Sequence, residues 1–200
     1  MTIKIAITGN IATGKTTVCE ILKSMGFKVF ESDYEVKKLY NQNDIIYEIR
    51  ENFINKIPDL FKSGKLDIKK LSNYAFSNKH ELHKLEKIIH PHVWSIKKTF
   101  IKENSKEKVL FFDIPLLFEK NLHKRYDFVF YTMVDQNIQK KRVLERGNMN
   151  VLKFQKILSI QASFSKVYEK FVSLKLDTEK NKTLIKNSIM NFLDKKNLLK

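Results

Sequence analysis

The sequence predicts an α/β fold in which helices flank a parallel sheet, and three features support that prediction. A short β-branched run at residues 3–8 ends in a glycine and is followed by a segment with helical spacing. Two continuous apolar runs, at 108–113 and 127–133, are typical of strands that are buried on both faces of a parallel sheet. Residues 33–103 have helical spacing and little strand character, so an all-helical insertion is expected there.

The N-terminal elements follow one another closely. Residues 3–8 predict the first strand, and residues 14–25 predict a helix because their apolar side chains recur with helical spacing. Gly26 is placed to end this helix, since glycine adopts the left-handed backbone of a helix C-terminus at little cost. The run KVF at 28–30 then predicts a second strand.

The remaining elements are predicted from the same periodicities. Helices of the insertion are expected at 34–54, 67–77 and 80–103, with breaks at Pro58, Gly64 and Pro91. Later helices are expected at 135–147, 150–172 and 180–198, with a short last strand from Leu174 to Leu176.

Composition limits the classes of protein that this chain can represent. Its 200 residues fit one domain of ordinary size, and a hydrophobic fraction of 42% is enough for a core. We expect no transmembrane helix, because no apolar run reaches about 18 residues. No secretory signal is expected either, because the N-terminus leads directly into a strand. Cys19 is the only cysteine, so no internal disulfide can form and a cytoplasmic location is expected.

The formal net charge of +16 is the most prominent feature of the composition. A basic chain can bind nucleic acid, an anionic membrane surface or an anionic substrate. The lysines are spread along the whole chain, so the charge predicts neither a dedicated nucleic-acid partner nor a membrane partner. Arginine is rare, and this favours a role for the four arginines where a planar, two-pronged donor is needed.

The segment Gly9–Thr16, GNIATGKT, fits the phosphate-loop pattern G-x-x-x-x-G-K-[ST]. Gly9 and Gly14 permit backbone angles that let successive N–H groups point inward at an anion. Lys15 is placed to neutralise the β- and γ-phosphates of a nucleotide, and the Thr16 hydroxyl is placed to bind Mg²⁺. Because the motif lies between a predicted strand and a predicted helix, the sequence predicts a P-loop NTPase core.

Two carboxylates are candidates for the chemistry around this loop. Asp113 ends the apolar strand 108–113, which is where a Walker B aspartate supports Mg²⁺, although an aspartate that caps the next turn would occupy the same position. Asp33 follows the second strand at the sheet edge where ligands bind, and it could accept the proton of an attacking hydroxyl. It could also be the N-cap of a helix at 34–40.

Arg142 and Arg146 are four positions apart and so share one face of the helix predicted at 135–147. Such a face can stabilise the charge of a phosphoryl group during transfer. The alternative is a solvated face on which Glu145 lies nearby.

Five separated motifs resemble those of one family. They are TGNIATGKTT, GFKVFESDY, LEKIIHPHV, DIPLLFEKNLHKRYD and ILSIQASF. In this order, and over nearly the whole chain, they resemble the motifs of the dephospho-CoA kinase family. The His-Pro pair at 90–91 and the Pro-Leu-Leu-x-Glu motif at 115–119 make the resemblance specific.

The resemblance implies that ATP phosphorylates the ribose 3′-hydroxyl of dephospho-CoA, giving CoA and ADP, with Mg²⁺ as cofactor. It implies that Asp33 is the general base and that Lys15, Arg142 and Arg146 act on the phosphates. The implied ATP site comprises Ala12, Thr13, Gly14, Lys15, Thr16 and Thr17. The implied acceptor site comprises His90, Pro115, Leu117 and Glu119. The expected metal ligands are Thr16 and Asp113.

The resemblance also implies a division of the chain into three parts. These are a nucleotide-binding core (1–32, 106–134 and 166–200), a helical CoA-substrate domain (33–105) and a helical lid (135–165). The chain departs from the family pattern at Asn10 and Ala12, where the family usually has glycine. Ala12 is small enough to be tolerated, whereas Asn10 has to accept whatever backbone angle the loop requires.

Two alternatives remain open. One is another small P-loop kinase that acts on a nucleoside or nucleotide, although the loop lacks the Gly-x-Pro-Gly-x-Gly-Lys-Gly form of adenylate kinases. The other is a non-catalytic protein that binds nucleotides or nucleic acid through its +16 charge. If the chain is instead the dephospho-CoA kinase that the resemblance implies, its partners are ATP and dephospho-CoA, and a monomer or weak homo-oligomer is expected.

Overall fold

The structure is a computed structural model that describes residues 2–145, 154–155, 157–159, 161 and 167–199. It contains two compact units, one formed by Met1–Glu31 with Asn104–Lys200 and the other by Ser32–Glu103. The first unit holds the parallel sheet, and the second holds helices and a small hairpin.

The strands follow the sequence predictions closely, whereas much of the helix predicted at 150–172 lies outside the described residues. The strands are β1 (Ile3–Gly9), β2 (Lys28–Glu31), β3 (Phe61–Lys62), β4 (Lys65–Leu66), β5 (Val109–Asp113), β6 (Phe128–Met133) and β7 (Leu174–Asp177). The helices are α1 (Lys15–Ser24), α2 (Ser32–Leu39), α3 (Asn43–Phe53), α4 (Ile68–Ser77), α5 (Lys79–Glu103), α6 (Gln136–Glu145) and α7 (Lys182–Lys195). Short 3₁₀ turns lie at Leu122–Arg125 and Glu169–Phe171. The five strands predicted for the sheet are thereby confirmed, each to within one residue.

Five strands form one parallel sheet in the order β2-β5-β1-β6-β7, which confirms the predicted fold class. The central strand β1 pairs with β5 on one side and with β6 on the other. In these pairings Ile7 lies opposite Asp113, and Gly9 lies opposite Thr132. Because the strands are parallel, their carboxyl ends meet at one edge, and the loop after β1 starts at that edge.

The sheet is buried because its strands are apolar on both faces. Ile5, Ile7, Phe111 and Phe130 have no solvent exposure, and each contributes about 1.5–3 kcal/mol by leaving water. The helical side chains in the same core come from α1 and α7: Val18, Ile21, Leu22, Ile185, Ile189 and Leu193. Cys19 also lies in this core without exposure, and burial raises the pKa of its thiol.

Helix α1 ends in the way its sequence predicts. Gly26 has a φ of 82°, in the left-handed region. Its N–H donates to the carbonyl oxygen of Lys23 at 2.9 Å, and the N–H of Phe27 donates to that of Leu22 at 3.1 Å. This pair of hydrogen bonds satisfies carbonyls that the helix end leaves without helical partners, and it turns the chain into β2.

The second unit has its own core, which the faces of α3, α4 and α5 form together. Its fully buried side chains include Ile45, Ile49, Phe53, Leu60, Leu71 and Ala75. The ion pair between Lys56 and Glu81, at 2.8 Å, ties the end of the α3 segment to the first turn of α5. The Lys56 ammonium lowers the pKa of the Glu81 carboxyl by hydrogen bonding to it.

Two details of the second unit differ from the sequence prediction. The insertion is not all-helical, because β3 and β4 form a hairpin in which Phe61 lies opposite Leu66. Its turn residues Ser63 and Gly64 have φ values of 48° and 76°, as a two-residue hairpin turn requires. The helix predicted at 34–54 is also divided, since α2 ends at Leu39 and α3 begins at Asn43.

Pro91 lies inside α5 and does not end it, so the break predicted there is wrong. A proline inside a helix removes one hydrogen bond and costs about 3 kcal/mol. Apolar side chains just before it, Leu85, Ile88 and Ile89, are buried in the core of the second unit, and Val93 and Ile96 pack on that core after it. Packing on both sides of the proline therefore keeps α5 continuous.

None of the helices in the described part of the chain combines the length and hydropathy needed to cross a bilayer.

Candidate active site

The loop between β1 and α1 has the backbone of an anion-binding loop. Its residues with positive φ among those described are Gly9 (152°), Ala12 (58°) and Gly14 (87°). The left-handed angle therefore falls on Ala12 and not on Asn10, so the expectation that Asn10 would have to accept a demanding backbone angle is wrong. Alanine is the smallest residue with a side chain, so Ala12 accepts this angle at a cost of about 1–2 kcal/mol.

Glycine is required at position 14 for steric reasons as well as for its backbone angle. A β-carbon on Gly14 would lie 2.7 Å from Oγ1 of Thr178 and 2.8 Å from its Cβ. Thr178 follows β7 and is 7% exposed, so it has little room to move aside. The loop thus passes directly against the residue that follows the edge strand.

The peptide groups of Ile11 are held from outside the loop by two glutamines. Gln139 of α6, itself buried, donates from Nε2 to the carbonyl oxygen of Ile11 at 2.6 Å. The Ile11 N–H donates to Oε1 of Gln161 at 2.8 Å. Next to it, the Tyr131 hydroxyl of β6 donates to Oδ1 of Asn10 at 2.8 Å. Three elements distant in sequence therefore fix the first half of the loop.

These contacts determine where the loop's N–H groups point. All described peptide bonds are trans, so a carbonyl and the N–H that follows it point in opposite directions. Because the Ile11 carbonyl points outward to Gln139, the Ala12 N–H points to the other side, into the loop. The loop leads into the N-terminus of α1, whose dipole favours a negative charge there.

Lys15 is the first residue of α1, and its side chain folds back along the loop. Its Nζ donates to the carbonyl oxygen of Gly9 at 2.8 Å and to that of Asn10 at 3.3 Å. Thr16 lies in the first turn with an exposed side chain, and Thr17 is half-buried beside it. This arrangement provides one cation and one exposed hydroxyl at the end of the loop.

Asp113 is the last residue of β5 and is 8% exposed, with a buried Oδ1. It is level with Ile7 of β1, two residues before the loop begins. No cluster of three His, Cys, Asp or Glu side chains occurs among the described residues, so these residues form no all-protein metal cage. The oxygen donors of Asp113 and Thr16 fit Mg²⁺, which takes few protein ligands and completes its shell with phosphate and water.

Arg142 of α6 contacts both the loop and the end of β7. Its Nη1 donates to Oγ1 of Thr178 at 3.0 Å, and its Nη2 donates to the Thr178 carbonyl oxygen at 3.1 Å. A longer contact of 3.5 Å joins Nη1 to the Ala12 carbonyl oxygen. Arg146 lies outside the described residues, as does most of the predicted lid between 146 and 165.

The Pro-Leu-Leu-x-Glu motif follows β5. Pro115 and Glu119 line a small pocket of about 10 Å³ together with Gly9, Asn10, Tyr131 and Gln161. Leu117 is fully buried, so its side chain supports the turn from within. The motif therefore brings two of the three predicted residues to the loop and uses the third for packing.

His123 lies in the 3₁₀ turn that follows this motif and is 5% exposed. Its ring is 4.5 Å from that of Phe171 and 4.9 Å from that of Tyr168, while Phe118 stacks on Tyr168 at 5.0 Å. Neither ring nitrogen has a hydrogen-bond partner among the described residues. Burial lowers the pKa of His123, because a charged imidazolium is poorly solvated there.

Asp33 and His90 belong to the second unit. Asp33 is the second residue of α2, which begins directly after β2 ends, and its side chain is exposed. It lies within the first turn and not at the N-cap, so the capping role considered from the sequence is wrong. His90 is exposed on α5 and lines a groove of about 350 Å³ with His83, Glu86, Lys87, Pro91 and Trp94.

The residues at the loop that were not predicted include Tyr131, Gln139 and Thr178. All three lie in or just after β6 and β7 or at the start of α6, near the carboxyl edge of the sheet. The rule that ligands gather at this edge could have indicated Thr178, since β7 was predicted. No sequence signal distinguishes Gln139 from the other glutamines of the chain.

Comparison with known proteins gives a consistent result. A family model described as dephospho-CoA kinase matches residues 3–173. The dephospho-CoA kinase of Fusobacterium nucleatum is 40% identical over 159 residues, which are 80% of this chain and 81% of that protein.

Among solved structures, one from Thermus thermophilus superposes with a TM-score of 0.79 at 24% identity, covering 98% of this chain and 97% of that one. A dephospho-CoA kinase from Campylobacter jejuni superposes with a TM-score of 0.63 at 23% identity, covering 96% of each chain. At these identities the two structures support the fold alone.

Proposed function

The chain belongs to the dephospho-CoA kinase family and is a kinase of coenzyme A biosynthesis, and we propose that the residues described above transfer the γ-phosphoryl group of ATP to the 3′-hydroxyl of dephospho-CoA. The observation that carries this proposal is the loop from Gly9 to Thr16, in which distant side chains hold the carbonyl oxygens of Ile11 and Thr13. Inward N–H groups at the start of a helix bind phosphate groups.

The ATP site comprises Ala12, Thr13, Gly14, Lys15, Thr16 and Thr17. When the triphosphate binds, the Lys15 ammonium exchanges its bonds to the Gly9 and Asn10 carbonyls for phosphate oxygens. That exchange favours binding, because a charge-assisted bond to an anion is stronger than one to a neutral carbonyl. Arg142, together with Arg146 four residues later in the sequence, stabilises the negative charge of the phosphoryl group during its transfer.

Asp33 acts as the general base. The substrate's 3′-hydroxyl oxygen forms a bond to the γ-phosphorus, while the bond from that phosphorus to the bridging oxygen of ADP breaks. The hydroxyl proton passes to the Asp33 carboxylate, and ADP leaves with the electron pair of the broken bond. The exposed position of Asp33 in the first turn of α2 leaves its carboxylate available to a substrate.

Thr16 and Asp113 are the residues that would hold Mg²⁺. The ion would neutralise charge on the β- and γ-phosphates, which the chain's own cations do only in part. Asp113 is positioned by the pairing of β5 with β1, and Thr16 by the start of α1, so both candidate residues belong to regular secondary structure.

The acceptor site uses His90, Pro115, Leu117 and Glu119. Pro115 and Glu119 line the pocket beside Gly9, and Leu117 holds their turn in place from the core. His90, on α5 of the second unit, is proposed for acceptor binding from the family resemblance alone. The net charge of +16 attracts both ATP and dephospho-CoA, since both are anionic. We further propose a monomer or weak homo-oligomer that works in the cytoplasm, where its single thiol stays reduced.

The test is an ADP-release assay on the purified chain with ATP and Mg²⁺, run with and without dephospho-CoA. We expect ADP release to depend on dephospho-CoA and CoA to be formed in equal amount, as measured by mass spectrometry. The Lys15→Ala variant is the matched control for contaminating kinases and should be inactive. Phosphorylation of a nucleoside panel but not of dephospho-CoA would instead favour the nucleoside-kinase alternative.

The non-catalytic alternative makes a different prediction. A nucleic-acid-binding protein would hold DNA or RNA with an affinity that falls steeply as salt rises. We expect this chain to bind a random oligonucleotide weakly and without sequence preference, and to release ADP at a rate that the oligonucleotide does not raise.

A further inference from the structure

We propose that Thr178 is a positioning residue of the ATP site, whose hydroxyl joins Arg142 to the phosphate loop and fixes the direction of the Gly14 N–H. This inference rests on the proposed function, because it assigns Thr178 to the nucleotide site of that kinase. Thr178 lies beyond residues 3–173, the stretch that the family model matches, so that match does not assign it a role.

The Thr178 hydroxyl makes two hydrogen bonds, one as the donor and one as the acceptor. It donates to the carbonyl oxygen of Thr13 at 2.8 Å and accepts from Nη1 of Arg142 at 3.0 Å. A hydroxyl has one proton to donate and two lone pairs, so it can make both bonds at once. Because the bond to Thr13 is buried, its loss would leave the Thr13 carbonyl without water as a substitute.

The bond to Thr13 sets the direction of an N–H in the loop. The Thr13 carbonyl and the Gly14 N–H belong to one trans peptide group and point in opposite directions. Because Thr178 holds the carbonyl on the outside, the Gly14 N–H is directed into the loop. Gly14 is one of the residues proposed to bind phosphate, so Thr178 acts on ATP through Gly14.

The position of Thr178 is itself fixed by the sheet. Its N–H donates to the carbonyl oxygen of Met133 at 2.9 Å, which extends the pairing of β7 with β6. Its Cβ and Cγ2 would be 2.8 and 2.9 Å from a β-carbon on Gly14, so the side chain also limits outward movement of the loop. Thr178 is therefore held in place by the sheet and in turn restricts the position of the loop.

The bond to Arg142 leaves the arginine's charge available. Within the described part of the chain Arg142 forms no ion pair, and its partners are the Thr178 hydroxyl and the carbonyls of Thr178 and Ala12. Neutral acceptors orient a guanidinium without cancelling its charge. The same hydroxyl thus orients one cation and one N–H toward the nucleotide.

The test compares Thr178→Val, which keeps the shape and removes the hydroxyl, with Thr178→Ser, which keeps the hydroxyl. For each we would measure the KM for ATP, the KM for dephospho-CoA and the Kd for MgADP by calorimetry. We expect Thr178→Val to raise the ATP KM and the MgADP Kd about tenfold, since a bond to a charged group and a buried carbonyl partner are lost. The KM for dephospho-CoA should stay the same, and Thr178→Ser should remain within about twofold of wild type in each value.

Three results would overturn the inference. The first is an unchanged KM for ATP in Thr178→Val, and the second is an equal rise of the ATP KM in Thr178→Val and Thr178→Ser. The third is an equal rise in the KM for ATP and for dephospho-CoA, as a general structural defect would give. If Thr178→Val does not fold, Thr178→Ala gives the same comparison with Ser. The MgADP titration needs no acceptor, so it tests Thr178 even if wild-type protein does not phosphorylate dephospho-CoA. That failure would count against the proposed function alone.

Discussion

Glu31 lies directly opposite Asp113 where β2 pairs with β5, so the carboxyl ends of these two parallel strands are level. Asp33 follows Glu31 by two residues, as the second residue of α2. Parallel sheets of this kind bind ligands beyond the carboxyl ends of their strands. The pairing therefore sets Asp113, the candidate for metal support, level with Glu31, and Asp33, the candidate general base, follows Glu31 closely in sequence.

Asp33→Asn should lower kcat by about 10²–10⁴ and leave the Kd for ATP within about twofold of wild type. The amide cannot accept the substrate's proton, whereas the phosphate loop is unchanged. Steady-state kinetics and calorimetry measure the two values separately. Glu35→Gln, a similar change in the same helix, is the control and should keep normal turnover; a normal kcat in Asp33→Asn would contradict the proposed role.

Gln139→Glu should raise the KM for ATP about tenfold. The substitution keeps the shape of the side chain but replaces the donor that holds the Ile11 carbonyl at 2.6 Å with an oxygen that repels it. The Ala12 N–H then loses its fixed direction. Gln136→Glu adds the same charge at an exposed site in α6 and is the control. Equal effects of the two substitutions would show that charge, and not the contact to Ile11, is responsible.

Ala12→Gly should change the free energy of unfolding by less than about 1 kcal/mol. Relief of the left-handed φ of 58° contributes about 1–2 kcal/mol. Two losses of stability oppose this gain. The lost methyl, which packs against Val143 and Phe154, costs about 0.8 kcal/mol. The greater freedom of glycine in the unfolded chain costs a further 0.4–1 kcal/mol or so. Denaturant unfolding measures the sum.

The contrasting substitution at the same site is Ala12→Val. A β-branched residue is a genuine outlier at positive φ, so we expect a loss of more than about 2 kcal/mol together with weakened ATP binding. A Val variant as stable as the Gly variant would show that the loop does not require the left-handed angle.

Stability should fall as the pH is lowered through about 6.5, and His123 should be one cause. Burial lowers the pKa of His123 in the folded chain, so in this range the unfolded chain binds a proton that the folded chain does not. The contribution of this residue has a slope of at most about 1.4 kcal/mol per pH unit, and it levels off below the folded-state pKa.

The His123→Phe variant suits the aromatic surroundings of Phe118, Tyr168 and Phe171 and removes the titrating group. Urea unfolding at pH 8 and pH 5 should show a smaller difference for this variant than for wild type. His83→Phe, on the exposed face of α5, is the control. A His123→Phe variant that loses as much stability as wild type between the two pH values would exclude His123 as the cause.

The sheet and the phosphate loop could be predicted because their signals are local. A buried parallel strand is a continuous apolar run, and the loop is a fixed spacing of glycines around a lysine. The hairpin at 61–66 was missed because two-residue strands are too short to show a period. The helix break predicted at Pro91 was wrong because packing of α5 against the core of the second unit outweighs the tendency of proline to end a helix.

The supports of the loop could not be predicted because they join distant parts of the chain. Gln139 and Ile11 are 128 residues apart, and Thr178 and Thr13 are 165 apart. Such pairs are set by strand order and register, which a single sequence does not display. The residues that bind phosphate were therefore predictable, while those that hold them in place became visible only in the fold.

The enclosure of Cys19 has a consequence for redox chemistry. Coenzyme A carries a sulfhydryl group, and its oxidised forms are disulfides that a protein thiolate can attack. The sulfur of Cys19 is shielded by the core, and burial keeps it protonated by raising its pKa. Since the thiolate is the attacking species, both features disfavour thiol–disulfide exchange between Cys19 and oxidised coenzyme A.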